Sequence, residues 1–392
     1  MIYRGTALQK EESFERSHPQ NGFTRHGITN YCQNRRTIML KEIEIKGYKS
    51  LKDVTLALRP INILIGANGV GKSNFITFFG LVNNIYEQNL QGYSMACGAD
   101  SLLYYGLKHT TQIEGSLDFG NNAYAFKLSP AKDGSLYIAE EKNVYLNSNF
   151  IYPSQNIRES KIKDSTRTRD SYLRDSLASY RIYHFHDTEK NSKLRSKYCN
   201  IDDNERFAVD GSNLPAFLYL LQEKFPTSLK RIEMVVRSVM PYFHRFVLRP
   251  NRLDESKIGL VWQDKNDLEK YFDASDLSDG SLRFIALTTL FMQPELPKTI
   301  IVDEPELGLH PVAISKLAGM IKSASRRDCQ VIISTQSAEL IDNFEPDDIL
   351  TVDRDKDGTV IKRLDSASLQ TWLESYTLGE LWTKSVIKGQ PR

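Results

Sequence analysis

Residues 66–73 read GANGVGKS and stand between a short, mostly apolar run, INILI, and a helix-compatible segment, NFITFFGLVNNIYEQ. The spacing fits G-x-x-x-x-G-K-[ST], which few backbone arrangements satisfy. A buried strand must end in a loop whose successive N–H groups point inward, and a helix must start at once. Glycines at 66, 69 and 71 permit that wrap, because they reach backbone angles that other residues avoid. The converging N–H groups and the positive end of the helix together make a phosphate cradle. In it Lys72 is expected to reach the β- and γ-phosphates and the Ser73 hydroxyl to ligate Mg²⁺. The candidate nucleotide contacts of this loop are Gly66, Ala67, Asn68, Gly69, Val70, Gly71, Lys72, Ser73 and Asn74.

A second element, TIIVDEPELGLHP, places three apolar residues, Ile300 to Val302, before Asp303 and Glu304. This describes a buried strand with carboxylates at its C-terminal end, where open α/β sheets bind ligands. Asp303 is the candidate metal residue, acting directly or through a water. Glu304 is placed to orient and deprotonate an attacking water. A third element, LSDGS at 277–281, puts a serine and a glycine at the start of the helical LRFIALTTLFMQ. Taken alone it is an ordinary helix cap or an anion-seeking helix end.

Order is expected to begin at Leu40. LKEIEIKGYKSL alternates like a half-buried strand, VTLALRP is a second strand, and residues 110–148 read as a strand meander with turns at Gly120-Asn121 and Asp133-Gly134. The polar, Arg/Lys-bearing stretch from Tyr152 to Asp175 reads as an exposed loop. Asn213 to Phe246 is mostly helical and interrupted by Pro226 and Pro241. The last third alternates helix and strand, as in a sheet with helices on its faces. The expected divisions are an N-terminal arm or misassigned start (1–38), a first lobe with the phosphate loop (39–149), an inserted lobe (150–250), a second lobe (251–365) and a tail (366–392). About 200 residues of Pro-broken sequence separate the loop from LSDGS, which leaves no room for a long coiled coil.

A formal charge of +2 gives no whole-protein field toward nucleic acid or membrane, so any basic surface is local. No apolar run approaches the roughly 20 residues of a membrane helix, and no membrane partner is expected. Cys32, Cys97, Cys199 and Cys329 lack ligand spacing and read as reduced thiols of a cytoplasmic protein. No N/T-K-x-D segment occurs to read guanine. DRDKDG at 353–358 opens like a calcium loop, but its twelfth position is Leu364, so it reads as a turn between strands. His184, His186 and Asp187 in YHFHDT read as packing residues before a metal site, and the Arg158–Arg174 stretch as a solvated lid before a nucleic-acid contact.

The order of these parts resembles the ABC-type ATPase head, in its RecF, SMC and OLD-like branch. Within that branch it is similar to bacterial AAA-family ATPases found beside defence genes, on the strength of LKEIEIKGYKSL, YHFHDT, DGSNLPAFLYLL, PELGLHP and YTLGELWTK. The resemblance implies an α/β P-loop NTPase fold: a mixed sheet flanked by helices, an N-terminal antiparallel β subdomain and an inserted, mainly helical lobe. It implies ATP and Mg²⁺ as ligands and a head-to-tail dimer in which Ser278 and Gly280 cap ATP held by the partner. Leu307 and Gly308 then lie in the loop that meets the partner just after the acidic strand. Lys49 and Ser50 contact nucleotide from the first strand turn, and Gln336 takes the switch position where many relatives carry His. A neutral amide there hydrogen-bonds phosphate but is no cation. The metal-linking glutamine that such heads carry between the phosphate loop and LSDGS is not identifiable by motif, and Gln112 is the candidate for it. The biological output stays open between a defence switch driving a separate nuclease effector and a RecF-like DNA-binding repair ATPase. The chain ends about 40 residues after VIISTQSAELIDNFEPDDIL, so the effector is expected on another protein.

Overall fold

The computed structural model describes residues 39–389 except 147, 153–155 and 186–191, with residues 148–150 and 169 described by backbone alone. The expected arm at 1–38, together with His186 and Asp187, lies outside the described residues.

β1 (Glu42–Tyr48) and β2 (Leu51–Ala57) pair antiparallel, with Ile45 opposite Val54. Ile43 and Ile45 are buried while Glu42, Glu44 and Lys46 take the other face, as the two-residue strand period requires. β3 (Ile61–Ile65) is buried at every position and leads through the loop into α1 (Lys72–Tyr86). After α2 (Leu90–Cys97) and the one-turn α3 (Ala99–Leu102) come β4 (Ile113–Asp118), β5 (Asn122–Pro130), β6 (Leu136–Tyr145) and β7 (Ser148–Ile151). They complete an antiparallel sheet in the order β2-β1-β4-β5-β6-β7.

The span from 150 to 250 contributes α4 (Thr168–Ala178), β8 (Ile182–Tyr183), β9 (Cys199–Asn200), α5 (Leu214–Lys224), α6 (Pro226–Val239) and β10 (Phe243–Phe246). β11 (Pro250–Asn251), β12 (Asp254–Ile258), β13 (Val261–Asp264) and β14 (Asp267–Asp273) then form two small sheets, β10-β13-β14 and β11-β12-β9. α7 (Asp279–Met292), β15 (Thr299–Asp303), α8 (Pro311–Ser325), β16 (Gln330–Thr335), β17 (Ile349–Asp355) and β18 (Gly358–Arg363) follow. The central sheet runs β18-β17-β3-β16-β15-β8 and is parallel except for β18. It is the mixed sheet the sequence implies, and its edge strand β8 comes from within the 150–250 span.

The central strands divide their side chains between two cores. Ile63, Ile300, Val302, Val331 and Ile333 face one, with α5 to α8. Leu64, Ile301 and Ile332 face the other, with α1 and the antiparallel sheet. Burial on both faces explains why these strands read as continuous apolar runs. Phe78 of α1 meets Tyr48 edge-on at a centroid distance of 5.4 Å, fixing the helix under β1.

One expectation fails. The stretch from Tyr152 to Asp175 is not simply exposed: Tyr152, Ile162 and Leu173 are buried, as are Leu177 and Tyr180 just beyond it. Leu173, Leu177 and Tyr180 recur at helical spacing, a signal outnumbered by the surrounding charges. Glu159 accepts hydrogen bonds from the backbone N–H groups of Leu90 (2.9 Å) and Gln91 (3.0 Å) at the start of α2. Asp170 is buried and accepts from Asn143 Nδ2 at 2.5 Å. The DRDKDG segment is a turn joining β17 to β18.

Candidate functional site

The parallel register brings three strand ends level. Ile65 pairs with Thr335, and Asp303 pairs with Ser334. The phosphate loop, the Asp303-Glu304 pair and Gln336 therefore emerge side by side from β3, β15 and β16. Gly71 has φ 115°, and a β-carbon there would stand 2.1 Å from Thr359 Oγ1. The loop closes on that hydroxyl, which donates to Val70 O at 2.7 Å and shares a 2.7 Å hydrogen bond with Ser50 Oγ. Asn74 Nδ2 donates to the same Ser50 oxygen at 2.7 Å, and Lys49 Nζ donates to Thr77 of α1 at 3.1 Å. The Lys49-Ser50 turn is thus held against the loop and the first turn of the helix.

Lys72 is buried, and its ammonium donates to Gly66 O (2.7 Å) and Ala67 O (2.9 Å). Burial lowers its pKa, while the charges of Glu304, Asp303 and Glu306 act in the opposite sense. The ammonium and the carboxylates of the β15 end therefore share one electrostatic site. Ser334 Oγ donates to Asp303 Oδ1, and Gln336 Nε2 donates to Glu304 Oε1. Glu304 has φ 42°, in the left-handed region, and its N–H donates to Ser334 O at 2.9 Å. That kink turns the chain away from the strand immediately after the metal candidate. The exposed Ser73 hydroxyl and the half-buried Asp303 carboxylate are hard oxygen donors of the kind Mg²⁺ takes.

Ser278 caps α7: its Oγ accepts from Ser281 N at 3.2 Å and donates to Ser281 Oγ at 2.8 Å. A cap of this type contributes about 1 kcal/mol to the helix. The hydrogen-bond partners of Ser278 lie on its own helix, and the residue is exposed. Gly280 packs on the turn after β15, where Leu307 is 51% exposed and Gly308 has φ 74°. Arg195 fixes the approach to the cap. Its guanidinium donates to Ala274 O and Leu277 O, each at 2.9 Å, and to Asp279 Oδ1 at 2.5 Å. Gln112 Nε2 donates to Glu114 Oε1 at 2.5 Å.

Four residues that touch this machinery escape a reading by motif. Ser334 and Thr359 hold Asp303 and the loop, and Arg195 holds the turn that leads into LSDGS. Glu306, 9% exposed, accepts from Thr335 Oγ1 at 2.5 Å and from Gln336 N at 3.2 Å. Its Oε2 is buried and has no hydrogen-bond partner among the described residues. The hydroxyl-rich end of VIISTQS was the available signal for Ser334 and Thr335, since hydroxyls at the tip of a buried strand need partners.

Two solved structures share the fold. One is the SmcHead bound to the C-winged helix domain of ScpA, with a TM-score of 0.57 and 16% identity, covering 85% of this chain and 99% of that one. The other is the Smc head domain with an extended coiled coil bound to the C-terminal domain of ScpA derived from Pyrococcus furiosus, with a TM-score of 0.53 and 15% identity, covering 86% and 98%. Among curated proteins, the Old nuclease of Escherichia phage P2 is 22% identical over 384 residues, 86% of this chain. The OLD nuclease of Thermus scotoductus is 22% identical over 378 residues, 87% of this chain. The chain spans only 63% and 68% of those two relatives. Fold and motif order are those of an ATPase of the OLD and SMC-like branch. Residues 61–342 match the family described as "AAA domain, putative AbiEii toxin, Type IV TA system", so the chain, matched over well more than half its length, belongs to that AAA-domain family.

Proposed function

We propose that this protein is a switch that binds and hydrolyses ATP with Mg²⁺ and acts as a head-to-tail dimer. The observation that carries the reading is the meeting of Lys72, Asp303, Glu304 and Gln336 at three adjacent strand ends. Gly66 to Asn74 would wrap the phosphates, with Lys72 leaving its two carbonyls to meet the β- and γ-phosphate charge. Ser73 and Asp303 would hold Mg²⁺, which supplies charge neutralisation at the transferring phosphoryl group. Gln336 steadies one oxygen of Glu304, leaving the other to take a proton from the attacking water. Lys49 and Ser50 would border the nucleotide from the β1–β2 turn.

Ser278 and Gly280 complete the site of the other copy in this reading. The support is that Ser278 is exposed and bonded only within its own helix tip, while the loop it would cap lies on a different surface element. ATP then acts as a ligand bound by two copies at once, so its concentration sets the dimer population. We assign the output to phage defence through a separate nuclease effector: the defence role follows the resemblance to ATPases found beside defence genes, and the nuclease follows the likeness to the two OLD nucleases.

Light scattering of the purified chain tests the dimer. With Mg²⁺ and ATP, Glu304→Gln is expected to double in mass and to stop turnover, whereas Lys72→Ala stays monomeric and binds no nucleotide. A Glu304→Gln protein that hydrolyses ATP at the unsubstituted rate would sink the assigned base. A monomer under all nucleotide conditions would sink the sandwich. Co-purification with products of neighbouring genes, with and without ATP, tests the effector.

A further inference from the structure

We infer that Glu306 is a positioning residue for turnover: it grips the backbone of Gln336 so that the Gln336 amide keeps hold of Glu304. The inference rests on the ATPase reading above. Glu306 stands three residues beyond Asp303, where the chain has left the strand, and its carboxylate is buried at the end of β16. A single oxygen, Oε1, receives both the Thr335 hydroxyl (2.5 Å) and the Gln336 N–H (3.2 Å). The side chain of Gln336 then donates to Glu304. Residues 304 and 306 therefore hold Gln336 from both sides, one by its amide and one by its backbone.

A buried carboxyl is an expensive way to supply one acceptor. An amide would offer the same oxygen without the desolvation cost of a charge. Glu306 leaves Oε2 buried and without a partner among the described residues. Unsatisfied buried polar atoms are rare and tend to mark working sites. Its sequence neighbours point the same way. Leu309 N donates to Glu306 O at 2.9 Å and Leu307 N donates to Glu304 O at 3.2 Å, closing a compact turn. Gly308, in that turn, is the residue on which Gly280 rests. One short segment thus touches the signature helix, the switch residue and the carboxylate assigned to deprotonate water.

The full chain with Glu306→Gln, Glu306→Leu and Thr335→Val tests the assignment through kcat, KM for ATP, fluorescent-nucleotide affinity and thermal midpoint. Glu306→Gln keeps an oxygen that accepts both hydrogen bonds, so its kcat is expected within about threefold of the unsubstituted protein. Glu306→Leu removes both and is expected to lower kcat by about tenfold or more, with nucleotide affinity within about twofold; the Thr335 hydroxyl and Gln336 N–H it strands lower the midpoint by only a few degrees, so the chain stays folded at the assay temperature. Thr335→Val is expected to fall between them. The assignment is overturned if Glu306→Leu turns over normally, if Glu306→Gln falls as far as Glu306→Leu, or if the Leu loss is carried by weaker nucleotide binding or by unfolding at the assay temperature. An unsubstituted protein that never hydrolyses ATP removes the ATPase reading and this inference together. Normal hydrolysis with an indifferent Glu306→Leu removes only the inference.

Discussion

A β-carbon added to Gly280 would stand 2.4 Å from the carbonyl oxygen of Gly308. The first turn of α7 therefore lies directly on the turn that leaves β15, and the contact is with backbone, which has no rotamer to yield. Gly280→Ala must push the two segments apart. It is expected to cost about 1–3 kcal/mol, as small-to-large changes at tight contacts do. Because Ser278 and Gly308 both move while the phosphate loop does not, turnover should drop by about tenfold or more with nucleotide affinity kept. Paired measurements of ATPase rate and nucleotide binding check this, and parallel losses in both would show that the two segments do not act apart from the loop.

Arg195 reaches Ala274 O and Leu277 O across about 80 residues of sequence. Its ion pair with Asp279 involves a carboxylate whose side chain is 64% exposed, so that pair contributes less than about 1 kcal/mol. The two carbonyl bonds matter more, and a lysine cannot reproduce the planar fork that makes them. Arg195→Lys is expected to lower stability by about 1–2 kcal/mol, and Asp279→Asn by less than about 1 kcal/mol. Urea unfolding of both variants checks the ranking. An equal effect would mean that the exposed carboxylate does the holding.

Glycine has opposite meanings at 71 and at 319. At Gly71, φ is 115° and Thr359 Oγ1 lies 2.1 Å from an added β-carbon, while at Gly319, inside α8, nothing lies within 4 Å. Gly71→Ala is expected to abolish nucleotide binding and to cost more than about 2 kcal/mol. Gly319→Ala should add about 0.5–1 kcal/mol by favouring the helix and restricting the unfolded chain. Thermal midpoints moving in opposite directions are the expected result, with ATP binding lost only at position 71.

Local pattern carried the centre of this protein and little of its periphery. INILI, GANGVGKS and TIIVDEP encode strand, loop and strand end in contiguous residues, so a window of a dozen positions contains the geometry. The role of Ser278 as a helix cap was legible for the same reason. Glu306 was not, because its burial depends on the φ of 42° at Glu304 and on β16 lying alongside, and neither is a property of PELGLHP. Arg195 and Thr359 act on segments far away in sequence, and only the fold brings them there. β8 has two residues, too few to show a period, yet it extends the sheet beside β15. The helix α4 was hidden by charge: its buried Leu173 and Leu177, with Tyr180 just past its end, are set among arginines and aspartates.

Burial pushes the Glu306 carboxyl above its usual pKa, and the hydrogen bonds from Thr335 and Gln336 pull it back only in part. The folded chain therefore keeps this proton to a higher pH than the unfolded chain, whose glutamates titrate near about 4.3. Between those two values the folded state binds more protons, so stability falls as pH rises through the window. The contribution is complete below the unfolded value and is lost once pH passes the folded one. Glu306→Gln cannot titrate and lacks this slope. Other, half-buried acids such as Glu233 and Asp348, also raised by partial burial, are present in both proteins and cancel in the difference. The unfolding free energy of Glu306→Gln minus that of the unsubstituted chain should thus grow from about pH 4 upward and then level off. Urea titrations at closely spaced pH values check it, and a flat difference would show that the folded site tolerates the Glu306 charge as well as water does.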